Sequence, residues 1–268
     1  MKFKFDHDLH IHSYLSECSS DPEQNKYRIL QYAKDNNLRT LCLTDHMWDD
    51  AIDGAIDWYK PQNYAHICEI LPLPQDKYVR FFFGCETEVD KYNTLAISKK
   101  VMDELDFVVI PTTHFHMTDF TISKEDATTH EGMAKNWIER FEAVLDMDLP
   151  FYKVGIAHLT CTAIGPGRGK LLETVKAIPE LEMERLFKKA AKVGVGIEIN
   201  SDDMIFESDE AAEIIAKPYR IAKDCGCKFY LGSDAHNPHI FDDVAGIFDR
   251  AIDLIGLEES DKIDFLKY

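Results

Sequence analysis

Residues 8–13 read DLHIHS, at the end of an extended, apolar-flavoured run that begins near Lys4. In a strand, residues i and i+2 point to one face, ~7 Å apart along the chain. His10 and His12 therefore share a face, and Ile11 points the other way, free to pack against helices. Two imidazoles on one face can grip a single cation. The same spacing recurs as Asp234 and His236 in GSDAH, residues 232–236, at the end of the last apolar run. In a closed barrel that last strand lies beside the first.

Between these two stretches the pattern alternates. Strands are predicted at 4–12, 39–46, 78–89, 106–114, 152–159, 194–200 and 227–236. Helices are predicted at 21–37, 62–71, 98–105, 131–147, 170–193 with a break near Pro179, 208–225 with a kink at Pro218, and 241–256. Asp21 is placed to cap the first helix, with Pro22 in its first turn. Residues 117–130 form a polar loop. Regular β/α alternation with apolar strands implies a parallel sheet covered by helices. Seven such units closed on themselves make a (β/α)7 barrel of the TIM-barrel type. No repeat, linker or low-complexity tract divides the chain, so residues 1–268 are expected to form one domain.

Catalytic groups of such barrels sit where strands end and βα loops begin. The strands here end in His10 and His12, Asp45-His46, Glu86-Thr87-Glu88, His114-Phe115-His116, His158, Glu198-Ile199-Asn200, and Asp234-Ala235-His236. One histidine at a strand end is more often a hydrogen-bonded core residue than a ligand, but that account does not extend to the whole set. So many donors exceed the needs of one ion, and Glu86 is a candidate bridge because a carboxylate has two oxygens to share. His116 competes with His114, and Glu88 with Glu86, since both members of each pair can face inward. His7 reads as structural. His66, His130 and His239 read as surface or capping residues.

The formal net charge is -18. A chain this acidic repels a phosphate backbone, which argues for a small-molecule partner and against nucleic acid. No apolar run approaches the ~20 residues of a membrane helix, so no membrane partner is expected. The charged MKFKFDHD start is unlike a signal peptide, and the seven cysteines form no CxxC pair. Both features lead us to expect a cytoplasmic protein with reduced thiols.

In this order, DLHIHS, LTDH, GCETE, THF, AHL and GSDAH resemble the PHP (polymerase and histidinol phosphatase) family, from Asp8 to about residue 240. The resemblance implies a distorted seven-stranded barrel with two or three divalent ions, Zn, Mn or Fe, at the C-terminal ends of the strands. Carried over, His10, His12, Glu86 and Asp234 would hold the first ion. Glu86, His114 and His158 would hold the second, and His46 and His236 the third. The family usually supplies a further third-site ligand six residues after the second histidine, where this chain has Cys18. Cys18, Glu17 and Asp21 are the candidates to fill that place. The motifs look most like the stand-alone histidinol-phosphatase branch.

The expected chemistry is hydrolysis of a small organic phosphate monoester by a metal-bound hydroxide, histidinol phosphate being one candidate. Asp234 and His236 are the expected catalytic residues. In GPGRGK, residues 165–170, Arg168 and Lys170 are candidates to bind phosphate. The loop after His46 carries Trp48, Trp58 and Tyr59, either as a pocket wall or as loop packing. A phosphodiesterase or nuclease of the same fold, a catalytically silent metal-binding domain and, more remotely, an amidohydrolase are the competing readings.

Overall fold

The computed structural model describes residues 1–19, 21–164 and 168–267, the side chains of Arg168 and Lys267 excepted. Seven parallel strands lie side by side in chain order. They are β1 (His7–Ile11), β2 (Thr40–Leu43), β3 (Arg80–Glu86), β4 (Phe107–Pro111), β5 (Val154–Ala157), β6 (Gly196–Asn200) and β7 (Lys228–Gly232). The helices are α1 (Lys26–Asp35), α2 (Tyr64–Ile67), α3 (Lys99–Glu104), α4 (His130–Leu145), α5 (Arg168–Ala177), α6 (Glu180–Val193), α7 (Asp209–Asp224) and α8 (Val244–Ile255). Among the described residues, no helix is long and apolar enough to cross a membrane.

The sheet is a nearly closed, distorted (β/α)7 barrel. At the rim of the β1/β7 seam, the His12 N–H donates to Ala235 O at 3.1 Å and the Asp234 N–H to His10 O at 2.7 Å. Lower down, β1 side chains replace the ladder. The Ser233 N–H donates to Asp8 Oδ1 at 2.9 Å and the Leu231 N–H to His7 Nε2 at 3.0 Å. His7 is thus structural, as its place before the motif suggested. Because Nε2 accepts, its proton sits on Nδ1, which faces Asp6 Oδ1 at 2.9 Å.

A β-bulge on β1 sets the site. The β1–β2 register slips between Asp8 and Ile11. Leu9 fills the barrel interior with Cys42, Phe107, Val109, Ala157 and Tyr230. Strict alternation would turn His10 outward. The bulge re-aims it inward, as bulges near functional sites commonly do, and Ile11 joins the outer core. The His10 N–H, taken out of the ladder, donates to Asp8 Oδ1 at 3.3 Å.

Residues 257–267, beyond the predicted elements, close the opposite end. Ile263 joins the interior cluster, and the Phe265 ring lies 5.1 Å from Phe82 and 5.2 Å from Phe107. Tyr230 fills the space left by Gly155, where a Cβ would lie 2.4 Å from its ring.

The start of α1 differs from expectation. Asn25, not Asp21, is the N-cap, accepting from the Tyr27 and Arg28 N–H groups at 3.1 Å each. Asp21 caps a preceding turn through the Glu23 N–H at 2.9 Å. The reason is Gln24, fully buried, whose amide donates to His12 O and Ala235 O at 2.9 Å each. This pins the segment over the seam and delays the helix. Pro218 lies inside α7 without ending it.

Candidate metal centre

The rim where the strands end gathers all eight residues of the expected ligand set. His10 Nε2 and His12 Nε2 lie 3.1 Å apart. Glu86 Oε2 is 3.4 and 3.3 Å from them, and Asp234 Oδ1 is 3.4 and 3.0 Å. Glu86, buried at the end of β3, turns its other oxygen to His158 Nε2 at 3.0 Å and His114 Nε2 at 3.7 Å. His46 Nδ1 lies 3.0 Å from Glu86 Oε2. Donor atoms fall within 4.8 Å of one another in four groups: His10, His12, Glu86 and Asp234; Glu86, His114 and His158; His12, His46 and His236; and His10, His158 and Glu198.

Two ligands reach the centre by a backbone turn that no periodicity encodes. His158 and Asp234 have φ of 37° and 55°. Left-handed backbone is uncommon outside glycine and clusters at functional sites. Here it directs the side chains that follow β5 and β7 over the barrel mouth.

The far sides of the rings decide what the near sides can do. His12 Nδ1 faces Ser16 Oγ at 3.0 Å, and that hydroxyl donates to Asp45 Oδ1. Ser16 must therefore accept from Nδ1–H. His10 Nδ1 faces Glu198 Oε1 and His114 Nδ1 faces Glu88 Oε2, both at 2.7 Å, and His236 Nδ1 faces the Asp234 carbonyl at 2.7 Å. Each acceptor fixes the proton on Nδ1 and leaves the Nε2 lone pair turned inward, the arrangement typical of metal-bound imidazole. Two lone pairs 3.1 Å apart repel unless a proton or a cation lies between them. In addition, His46 Nδ1 and Asp234 Oδ1 are buried without a well-directed hydrogen bond, although Glu86 Oε2 and His12 Nε2 lie 3.0 Å from them. The donor set fits a cation of the imidazole- and carboxylate-loving kind.

The electrostatics agree. Burial alone would raise the carboxyl groups, but His46 and His10 hold Glu86, and His10 and His236 hold Asp234, well below the usual range. Burial likewise opposes charge on His10, yet Glu198, Asp234 and Glu86 hold it well above its ordinary value. The centre is a crowd of anions that calls for positive charge.

The structure separates the competing pairs. Glu86 belongs to two of the groups, whereas Glu88 stands behind His114, also accepting from the Val89 N–H at 2.8 Å, Tyr59 OH at 3.2 Å and Arg140 Nη2 at 3.3 Å. His116 is exposed, 5.4 Å ring to ring from His114, and joins no group. Cys18 lines the pocket but joins none either, and burial together with the Glu86 and Asp234 charges pushes its thiol up. Glu17 is exposed and Asp21 is engaged in its turn. Lys170 lies exposed on α5, away from the pocket lining. Residues 165–167 and the Arg168 side chain lie outside the described residues.

A cavity of about 550 Å³ opens onto the centre. Its lining includes the apolar Ile56, Trp58, Met117 and Ala163 and the polar Asp202 and His116. No lysine or arginine lines it among the described residues. Trp48 is a buried packing residue, Tyr59 is buried yet also lines the pocket, and the Trp58 ring, likewise in the lining, stands edge-on 5.1 Å from His46.

Two residues escaped the sequence reading. Glu198 was visible as a strand-end acid, but nothing local gave it a partner. Arg140 sits in an apolar helical stripe beside Trp137 and Phe141, where its sequence carries no signal of the five acceptors it meets.

The comparisons with known proteins bear on this geometry. A crystal structure of histidinol phosphate phosphatase from Lactococcus lactis subsp. lactis, complexed with zinc, L-histidinol and phosphate, shares 16% identity with a TM-score of 0.64, over 97% of this chain and 98% of that one. A protein assigned as histidinol phosphatase from Listeria monocytogenes shares 13% identity with a TM-score of 0.56, over 87% of this chain and 96% of that one. At these identities the likeness speaks to the fold. Comparison with curated proteins returned no match. The PHP domain matches residues 8–202, which hold every candidate ligand except Asp234 and His236. The chain belongs to the PHP domain family.

Proposed function

We propose that this metal-dependent PHP phosphoesterase hydrolyses a small organic phosphate monoester, with histidinol phosphate the first candidate. The observation that carries the reading is Glu86, a buried carboxylate whose two oxygens face two different sets of inward-turned histidine nitrogens. His10, His12, Glu86 and Asp234 would hold one ion, and Glu86, His114 and His158 a second. His46 and His236, with His12 beside them, would hold a third. Divalent ions there supply Lewis acidity, which acidifies water and offsets phosphoryl charge.

The chain's own groups do the rest. The Nδ1 acceptors hold four rings in one tautomer before any substrate arrives. Asp234 and His236, both lining the pocket, would orient the water whose proton the leaving alkoxide takes up. A cavity of this size admits a compact organic group, and its acidic and aromatic lining suits an amine or imidazole.

The test pairs elemental analysis with phosphate release from histidinol phosphate and from an aryl monoester, before and after chelation. Two or three ions per chain with chelator-sensitive release support the proposal. A metal-loaded protein that cleaves only diesters, or nothing, overturns it.

A further inference from the structure

Strand β6 contributes Glu198, and both of its oxygens are already engaged. Oε1 lies 2.7 Å from His10 Nδ1. Oε2 accepts the His158 backbone N–H at 2.9 Å and Asn200 Nδ2 at 3.2 Å. Asn200 Nδ2 also reaches Asp234 Oδ2 at 3.3 Å. On the β7 side, Glu198 is pressed against Gly232 so closely that a Cβ there would sit 2.0 Å from Oε1 and 2.6 Å from the His10 Cβ. The residue is fully buried, and no lysine or arginine pairs with it among the described residues.

We infer that Glu198 is a positioning residue that locks His10 as the Nδ1–H tautomer and ties the ends of β1 and β5 to β6, packed against Gly232 of β7, in one rigid cradle for the metal centre. The inference rests on the metal-binding part of the proposed function. Glu198 is not a further ligand, because its oxygens are occupied by N–H donors from three directions. A carboxylate is needed for this, being acceptor-only at both oxygens. The isosteric amide would turn an NH2 group either at the His10 Nδ1–H or at the His158 and Asn200 donors. One contact must then fail, and with it either the ring's tautomer or the left-handed turn at His158. Partners of this kind behind metal-bound histidines typically set affinity by 10–100-fold.

The experiment compares wild type with Glu198→Gln. Metal-free protein is titrated with zinc against a chromogenic chelator, metal-free melting is recorded, and long-range 1H–15N spectra report the His10 ring. The expected result is a variant that melts close to wild type but holds at least one zinc about 10–100-fold more weakly, with His10 no longer confined to the Nδ1–H tautomer. Unchanged zinc affinity with an unchanged His10 tautomer overturns the inference. Should the variant fail to fold, zinc-loaded wild type still decides: His10 protonated at Nε2 overturns it, and protonated at Nδ1 supports it. Wild type that binds no zinc removes the proposed function as well, whereas zinc-binding wild type with an unweakened variant removes this inference alone.

Discussion

Replacing Arg140 with methionine should be among the most damaging single changes outside the metal centre. Arg140 is 2% exposed. Its Nε donates to Thr112 O at 2.9 Å, Nη1 to Asp90 O and Thr121 O at 3.2 and 2.9 Å, and Nη2 to Val89 O and Glu88 Oε1 at 2.8 and 3.3 Å. One guanidinium thus joins the segments after β3 and β4 and fixes the carboxylate behind His114. Methionine keeps the stem volume but removes every donor and leaves Glu88 buried without its cation. Breaking a buried pair by removing one partner costs about 3–5 kcal/mol. The freed carbonyls add to this, less whatever water recovers, so we expect about 4 kcal/mol or more. For a chain of this size that is a drop of roughly 8–16 °C in Tm. Urea unfolding of the metal-free protein measures it. Glu88→Gln in the same background should recover part of the loss, because the orphaned charge is gone. A loss within the ~0.5 kcal/mol of ordinary surface substitutions, or no recovery, would refute the argument.

Three further outcomes are expected. Gly232→Ala should cost about 2–3 kcal/mol and weaken zinc retention together, since the new methyl meets Glu198 Oε1 at 2.0 Å; melting and metal content read both, and a wild-type-like variant would refute the close approach. Burial lifts Asp203 to about 7, so the folded state keeps a proton that the unfolded chain has released. Relative to Asp203→Asn, wild type should therefore lose up to ~1.4 kcal/mol per pH unit as pH rises from about 5 to 7 and then level off; a flat difference in urea unfolding would contradict it. Cys18→Ser should leave metal content unchanged because the sulfur joins none of the donor groups, and the loss of one ion per chain would restore Cys18 as a ligand.

Local pattern carried a large share of the result. Period two placed His10 and His12 on one face, and β/α alternation placed every strand end at one rim. A parallel sheet in chain order then brings residues from 10 to 236 to the same mouth without further instruction. Pro179 located the break between α5 and α6, and the alternation located the run of seven strands.

Other features depend on partners distant in sequence, which no local period can encode. Glu86 and Glu88 have the same parity and the same chemistry. What separates them is Arg140 and Tyr59, brought to Glu88 by helix and loop packing. His114 and His116 are told apart by where the chain turns after β4. The bulge at β1, the left-handed turns at His158 and Asp234, the cap at Asn25 and the plug formed by residues 257–267 all answer to closure of the barrel. Glu198 makes the point most directly. Its place at a strand end is plain in the sequence, but its role exists only once β1, β5 and β7 have closed around it. The sequence by itself determined which faces and which rim the chemistry would occupy. Closure of the barrel decided which atoms meet there, because those distances are set by strands that are neighbours in space and far apart in the chain.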